Sequence, residues 1–192
     1  MSIARRLAPA TLALAASLSA SAQSAREFRS PADHGAHFES PKRDLAPLVE
    51  KVRRATARFR DIGVATAEGW VPATPCVSGP NEGAMGVHYV QPTRIGDGVL
   101  NAEEPEALIY EPLPGGKWRL VGVEFIELAE VWNGAHDGPA VLDGHLLNLV
   151  GAPNRYALPA FYELHVWGWA GNPSGSFADW NTLVSCAAQA AD

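Results

Sequence analysis

The chain has 192 residues, 15 basic and 21 acidic side chains, two cysteines and a formal charge of −6. That length suits one domain with a sizeable core. The acidic balance argues against nucleic-acid and anionic-membrane partners.

The N-terminus reads as a targeting segment. Arg5 and Arg6 precede a short apolar run over 7–18, and Ala20-Ser21-Ala22 offers a small-residue cleavage site. The run is too short to cross a bilayer, and no other stretch is long enough. Residues 1–22 are therefore expected to be a secretory signal peptide, which makes the product secreted, most simply periplasmic. Residues 23–40 are expected to be a flexible leader, 41–186 a single domain and 187–192 a loose tail. Export puts Cys76 and Cys186 in an oxidising compartment, where an even pair reads as a disulfide. It would close a loop of about 110 residues, to which chain entropy assigns about 4–5 kcal/mol. A reactive thiol or thiolate metal pair is the alternative.

Residues 44–68 carry helical periodicity in Leu45, Leu48, Val49, Val52, Ala55, Phe59 and Ile62. Ser40 or Asp44 can cap this helix, with Pro41 tolerated in its first turn and Gly69 as its stop. Arg53, Arg54, Arg58 and Arg60 read as a solvated face. Strand patterns follow at 84–91, 107–111, 117–128 and 161–169. Pro112 to Gly116 reads as a hairpin turn between the second and third. The connection 129–160 is long enough to be functional or partly structured, with a short element near 145–150. The predicted class is α+β: one long N-terminal amphipathic helix packed on an antiparallel sheet of four to six strands, with long loops.

The last strand is the most informative. Alternation puts Phe161, Glu163, His165, Trp167 and Trp169 on one face. Glu and His among aromatic rings suit the lining of a pocket better than a plain core or a solvated face. In 117–128, Trp118, Leu120, Gly122, Glu124, Ile126 and Leu128 share a side, with Glu124 the one charge among them. In 84–91, His88 shares a side with Gly86 and Val90, opposite Met85, Val87 and Tyr89. Should these faces coincide, His88, Glu124, Glu163 and His165 form a cluster of two imidazoles and two carboxylates. That donor set suits Zn²⁺, or Fe²⁺ and Mn²⁺ with two histidines and one carboxylate. Trp118, Trp167, Trp169 and Tyr89 are the candidate ligand-binding walls.

Three readings stay open. The first is a small-ligand- or metal-binding domain with this pocket. The second is a metal-dependent or acid–base enzyme using the same residues. The third is an extracytoplasmic interaction module whose aromatics form core or interface. A buried polar network without ligand accounts for the same composition. His34 and His37 in the leader, and His136 and His145 in the long connection, are weaker candidates. The dinucleotide fingerprint, phosphate loop, G-x-S-x-G and C-x-x-C-H motifs are absent.

Met85 to Val90, Pro105 to Pro112, Leu120 to Phe125, Tyr162 to Trp169 and Phe177 to Cys186 carry a resemblance. These landmarks, G-x-H-Y-V, Y-E-L-H-V-W and F-A-D-W-N-x-x-V-S-C among them, resemble a group of uncharacterised secreted bacterial proteins. The resemblance implies a single export-targeted domain over about residues 44–186 and lends no chemistry.

Overall fold

The computed structural model describes residues 46–189. The expected signal peptide and leader, with His34, His37, Ser40, Pro41 and Asp44, lie outside the described residues, as do residues 190–192.

Helix α1, Pro47–Thr56, buries Leu48, Val49, Val52 and Thr56. Pro47 stands in the first turn, where no N–H is needed. Glu50 near its start and Arg53 and Arg54 near its end suit the helix dipole. The helical periodicity continues beyond Thr56, but the helix does not. A 3-10 turn, Ala57–Arg60, follows, and then α2, Ile62–Ala67. Two interactions mark the break. The Tyr110 hydroxyl donates to the Phe59 carbonyl at 2.6 Å, engaging an acceptor that a continuous helix would use. Asp61 caps α2 by accepting the Gly63 N–H at 2.8 Å. Gly69, at φ 89°, closes α2 as its composition predicts.

The four predicted strands are β3, Gly83–Val90; β4, Ala107–Leu113; β5, Lys117–Leu128; and β9, Phe161–Val166. Shorter strands complete the set: β1, Val71–Pro72; β2, Val77–Gly79; β6, Val141–Leu142; β7, His145–Leu146; and β8, Asn148–Val150. Strands of two or three residues are too short for alternation to reveal. Helix α3, Ala129–Ala135, follows β5 directly. The main sheet has seven strands in the order β1-β3-β4-β5-β9-β8, with β2 also paired to β3. All its pairings are antiparallel. β6 and β7 form a separate hairpin. The protein is α+β, and among the described residues no helix is long and apolar enough to cross a membrane.

One irregularity governs the sheet faces. Tyr110 pairs with Leu120 and Ile109 with Gly122, so Val121 is an extra residue in β5. Leu120, Val123 and Phe125 pack with Leu48, Val52 and Phe59 in the large core on the helix side. Val121 packs on the opposite face, with Ala84, Ile109, Trp167 and Val184. A third cluster, Ala107, Ile126 and Phe161, lies elsewhere in the sheet, with Tyr156 packed against it.

Just ahead of β4, Glu106 extends the ladder with its side chain. Its Oε2 accepts the Ile126 N–H at 2.9 Å in a fully buried setting. The disulfide joins Cys76 to Cys186 and so ties the segment before β2 to the C-terminal segment. Gln189 follows it in a turn, and its Oε1 accepts the Cys76 N–H.

Replacing both cysteines (Cys76→Ser with Cys186→Ser) is expected to lower the unfolding free energy by about 4 kcal/mol in urea titration. A loss below about 1 kcal/mol would show that chain entropy is not what the disulfide supplies. Burial pushes the Glu106 carboxyl up to about 8. The folded chain thus disfavours its ionised form, and stability falls as pH rises from the unfolded value near 4.5 towards 8. Glu106→Gln keeps the acceptor without the charge. It is expected to match the parent closely at pH 4.5 and exceed it by about 4 kcal/mol at pH 8. Equal melting curves at both pH values would contradict this.

Candidate metal centre

His88 on β3, Glu124 on β5, and Glu163 and His165 on β9 come together on the sheet face away from the helices. Register explains how. Glu124 pairs with His165 and Ile126 with Glu163, so the carboxylates and His165 are neighbours across one ladder. His88 reaches them from β3, on the far side of β4. Across from Glu124, β4 offers only the methyl group of Ala107. Gly122 also adds no side chain, and a Cβ there would lie 2.8 Å from the Val166 carbonyl oxygen.

Over this low ground His88 Nε2 lies 3.2 Å from Glu124 Oε2 and 3.5 Å from His165 Nε2. A tetrahedral ion with bonds of about 2.0–2.1 Å holds its ligand atoms about 3.3–3.4 Å apart. The two distances bracket that edge. All three residues are buried, His165 completely. The His88 Nδ1 faces the Thr74 hydroxyl at 3.3 Å, which can take its N–H and leave Nε2 free to ligate.

Burial lowers the His88 ring to about 4, and burial with the adjacent His88 lowers the His165 ring to about 3. Both rings are therefore neutral at pH 7, the form that binds a metal. Burial raises the Glu124 carboxyl well above its usual range, and Glu163 beside it adds to the rise. Burial raises Glu163 as well.

His88 and Glu124 open onto a cavity of about 110 Å³, whose walls include Thr74, Tyr156, Leu158 and Phe161. The Tyr156 hydroxyl donates to Met85 Sδ at 3.4 Å, and burial raises the phenol to about 12. On its other side, the His165 ring lies near-parallel to Trp167, with centroids 6.1 Å apart. Trp167 is anchored by its own N–H, which donates to the Ala178 carbonyl at 2.6 Å.

The other candidate walls lie elsewhere. Tyr89 belongs to the helix-side core, edge-on to Tyr110 and to Trp118. Trp118 packs against that core because the extra residue Val121 reverses the alternation between it and Glu124. Trp169 lies beyond the end of β9, where the chain bends at Gly168 and delivers the indole to the helices. Its N–H donates to Thr56 Oγ1 at 3.0 Å, and Arg53 and Arg60 lie over its ring. His136 stacks on Trp132, and His145 packs against Phe177.

Two site residues escaped the sequence reading. Asp179, from the C-terminal segment, brings Oδ1 to 3.9 Å from His165 Nδ1, while Asn148 donates to the same oxygen at 3.3 Å. Tyr156 lies in the long connection. The landmark Phe177-Ala178-Asp179-Trp180-Asn181 contains Asp179, but nothing in its pattern points at the sheet.

Trp169→Ala is expected to lower the unfolding free energy by about 3 kcal/mol while leaving Zn²⁺ uptake unchanged, both measured on one preparation. Lost uptake at unchanged stability would return Trp169 to the site.

No protein-family model matches the chain, and no curated protein or solved structure matches it.

Proposed function

We propose that this protein binds a divalent first-row cation, Zn²⁺, Fe²⁺ or Mn²⁺, through His88, Glu124 and His165. The observation that carries the reading is the spacing of three buried donor atoms at 3.2 and 3.5 Å, matching the edge of a metal's coordination tetrahedron. Neutral imidazoles and a carboxylate are the donors such ions favour. The disulfide supports export to an oxidising compartment, and with it the signal-peptide reading of residues 1–22.

Cavity size favours an ion over a large organic ligand. Pockets for drug-sized molecules run to about 300–1,000 Å³. A space of about 110 Å³ takes a few waters or a ligand of a few heavy atoms. The same cavity supports a second reading, a metal-dependent enzyme. Three protein ligands leave a coordination position open, the arrangement of catalytic rather than structural zinc. Tyr156 and Thr74 would then be the hydroxyl groups beside whatever occupies that position.

Metal content of the full chain, expressed with its own N-terminus and recovered from a bacterial periplasm, tests the reading. Stoichiometric metal is expected in the parent protein. His165→Ala is expected to abolish it, and His88→Ala to remove one equivalent. The loss of affinity should exceed the roughly 10–100-fold that removal of an outer-shell partner costs. Metal absent from the parent, even after dialysis against Zn²⁺, Fe²⁺ and Mn²⁺, would sink the reading.

A further inference from the structure

The far side of the His165 ring holds a second group of donors. Glu163, His165 and Asp179 each bring one ligand atom within 4.8 Å of the others. Two of these groups have polar atoms without a partner. His165 Nδ1 and Glu163 Oε2 are buried and form no hydrogen bond. Their residues are 0% and 5% exposed. Such atoms are rare in folded proteins, and two of them within one cluster of candidate ligands mark a place for something polar. Asp179 does not fill it, because 3.9 Å from Nδ1 is beyond hydrogen-bond reach.

We propose that Glu163, His165 Nδ1 and Asp179 form a second site for a divalent cation, with the His165 ring bridging two ions. This second site rests on the reading of His88, Glu124 and His165 as the first. Charge supports it. Glu124, Glu163 and Asp179 gather three carboxylates, and among the described residues no lysine or arginine forms an ion pair with any of them. One divalent ion leaves that cluster net negative. Two ions, with the Nδ1 proton released to solvent as the second binds, bring three carboxylates and an imidazolate to neutrality. Buried groups favour that balance.

The site also has a door. Asp179 is 37% exposed at its side chain and borders a surface cleft of about 320 Å³ with Asn81, Glu82, Ser174 and Trp180. The first site opens instead through the cavity at Tyr156. Asp179 thus stands between the buried donors and the surface. The spacing at 3.9 Å is slightly wider than a tetrahedral edge of about 3.3 Å. The Asn148 amide holds the Asp179 carboxylate in position meanwhile.

The test is zinc stoichiometry of the full chain, stripped with a chelator and dialysed against Zn²⁺. Two ions per chain are expected in the parent, one in Asp179→Asn and one in His88→Ala. Asp179→Asn sits at the surface and keeps an acceptor for Asn148, so folding is preserved. Loading with Cu²⁺ gives a second readout. Two ions on one imidazole should show spin coupling in the paramagnetic resonance spectrum, lost in Asp179→Asn. One ion in the parent, removed by His88→Ala and kept by Asp179→Asn, would overturn the second site and leave the first standing. Two ions unaffected by Asp179→Asn would overturn it too, placing the second ion elsewhere. No ion in the parent would overturn both.

Discussion

Val121 is the residue on which this arrangement turns. It has no partner on β4, and the strand steps over it between Leu120 and Gly122. Before the step, Trp118 and Leu120 serve the helix-side core. After it, Val123 and Phe125 serve that core, and Glu124 points the other way. With even alternation through Val121, the side chains of Val123 and Phe125 would face the ligands and Glu124 would be driven into the main core. One inserted residue thus separates an apolar layer from a polar one within a single strand.

The polar layer is expensive to bury, and the fold spends its small residues there. Ala107 and Gly122 lower the floor beneath His88, Glu124 and His165, so long side chains from strands two apart can meet. Around them, Ile126 and Phe161 supply apolar walls. Low polarity is what keeps both imidazoles neutral and raises the Glu124 and Glu163 carboxyls above their ordinary range. It also strengthens whatever electrostatic bond these groups make to a cation. Trp167 and Thr74 fix the two rings from outside, one by packing and one by a hydroxyl.

Much of this was legible in the chain. Alternation in 161–166 placed Glu163 and His165 on one face, and the polar residues in 84–91 and 117–128 marked the strands that meet them. The disulfide followed from having two cysteines together with the expectation of export. What alternation cannot carry is phase across an irregularity. Val121 is an ordinary β-branched residue, so nothing announced the step, and Trp118 was read onto the wrong side. Nor does alternation say where a strand ends. Val166 is followed by Trp167 and Gly168, which look like more strand but begin a turn, and Trp169 goes to the helices. Asp179 and Tyr156 come from irregular segments, where position depends on tertiary contacts alone. The helix break at Asp61 had a local sign, a capping aspartate ahead of Ile62, hidden by unbroken periodicity around it.

The two margins of the main sheet are stubs. On one side β3 is covered in pieces, by two residues of β1 that include Pro72 and by three of β2. On the other, β8 offers three residues, with Leu149 exposed. Neither margin presents a long run of free backbone donors and acceptors, and a proline interrupts one of them. A second chain has little to zip onto. The long central strands, which would template growth if laid bare, are shielded by strands too short to do so themselves, and the fold thereby resists stacking edge to edge into aggregates.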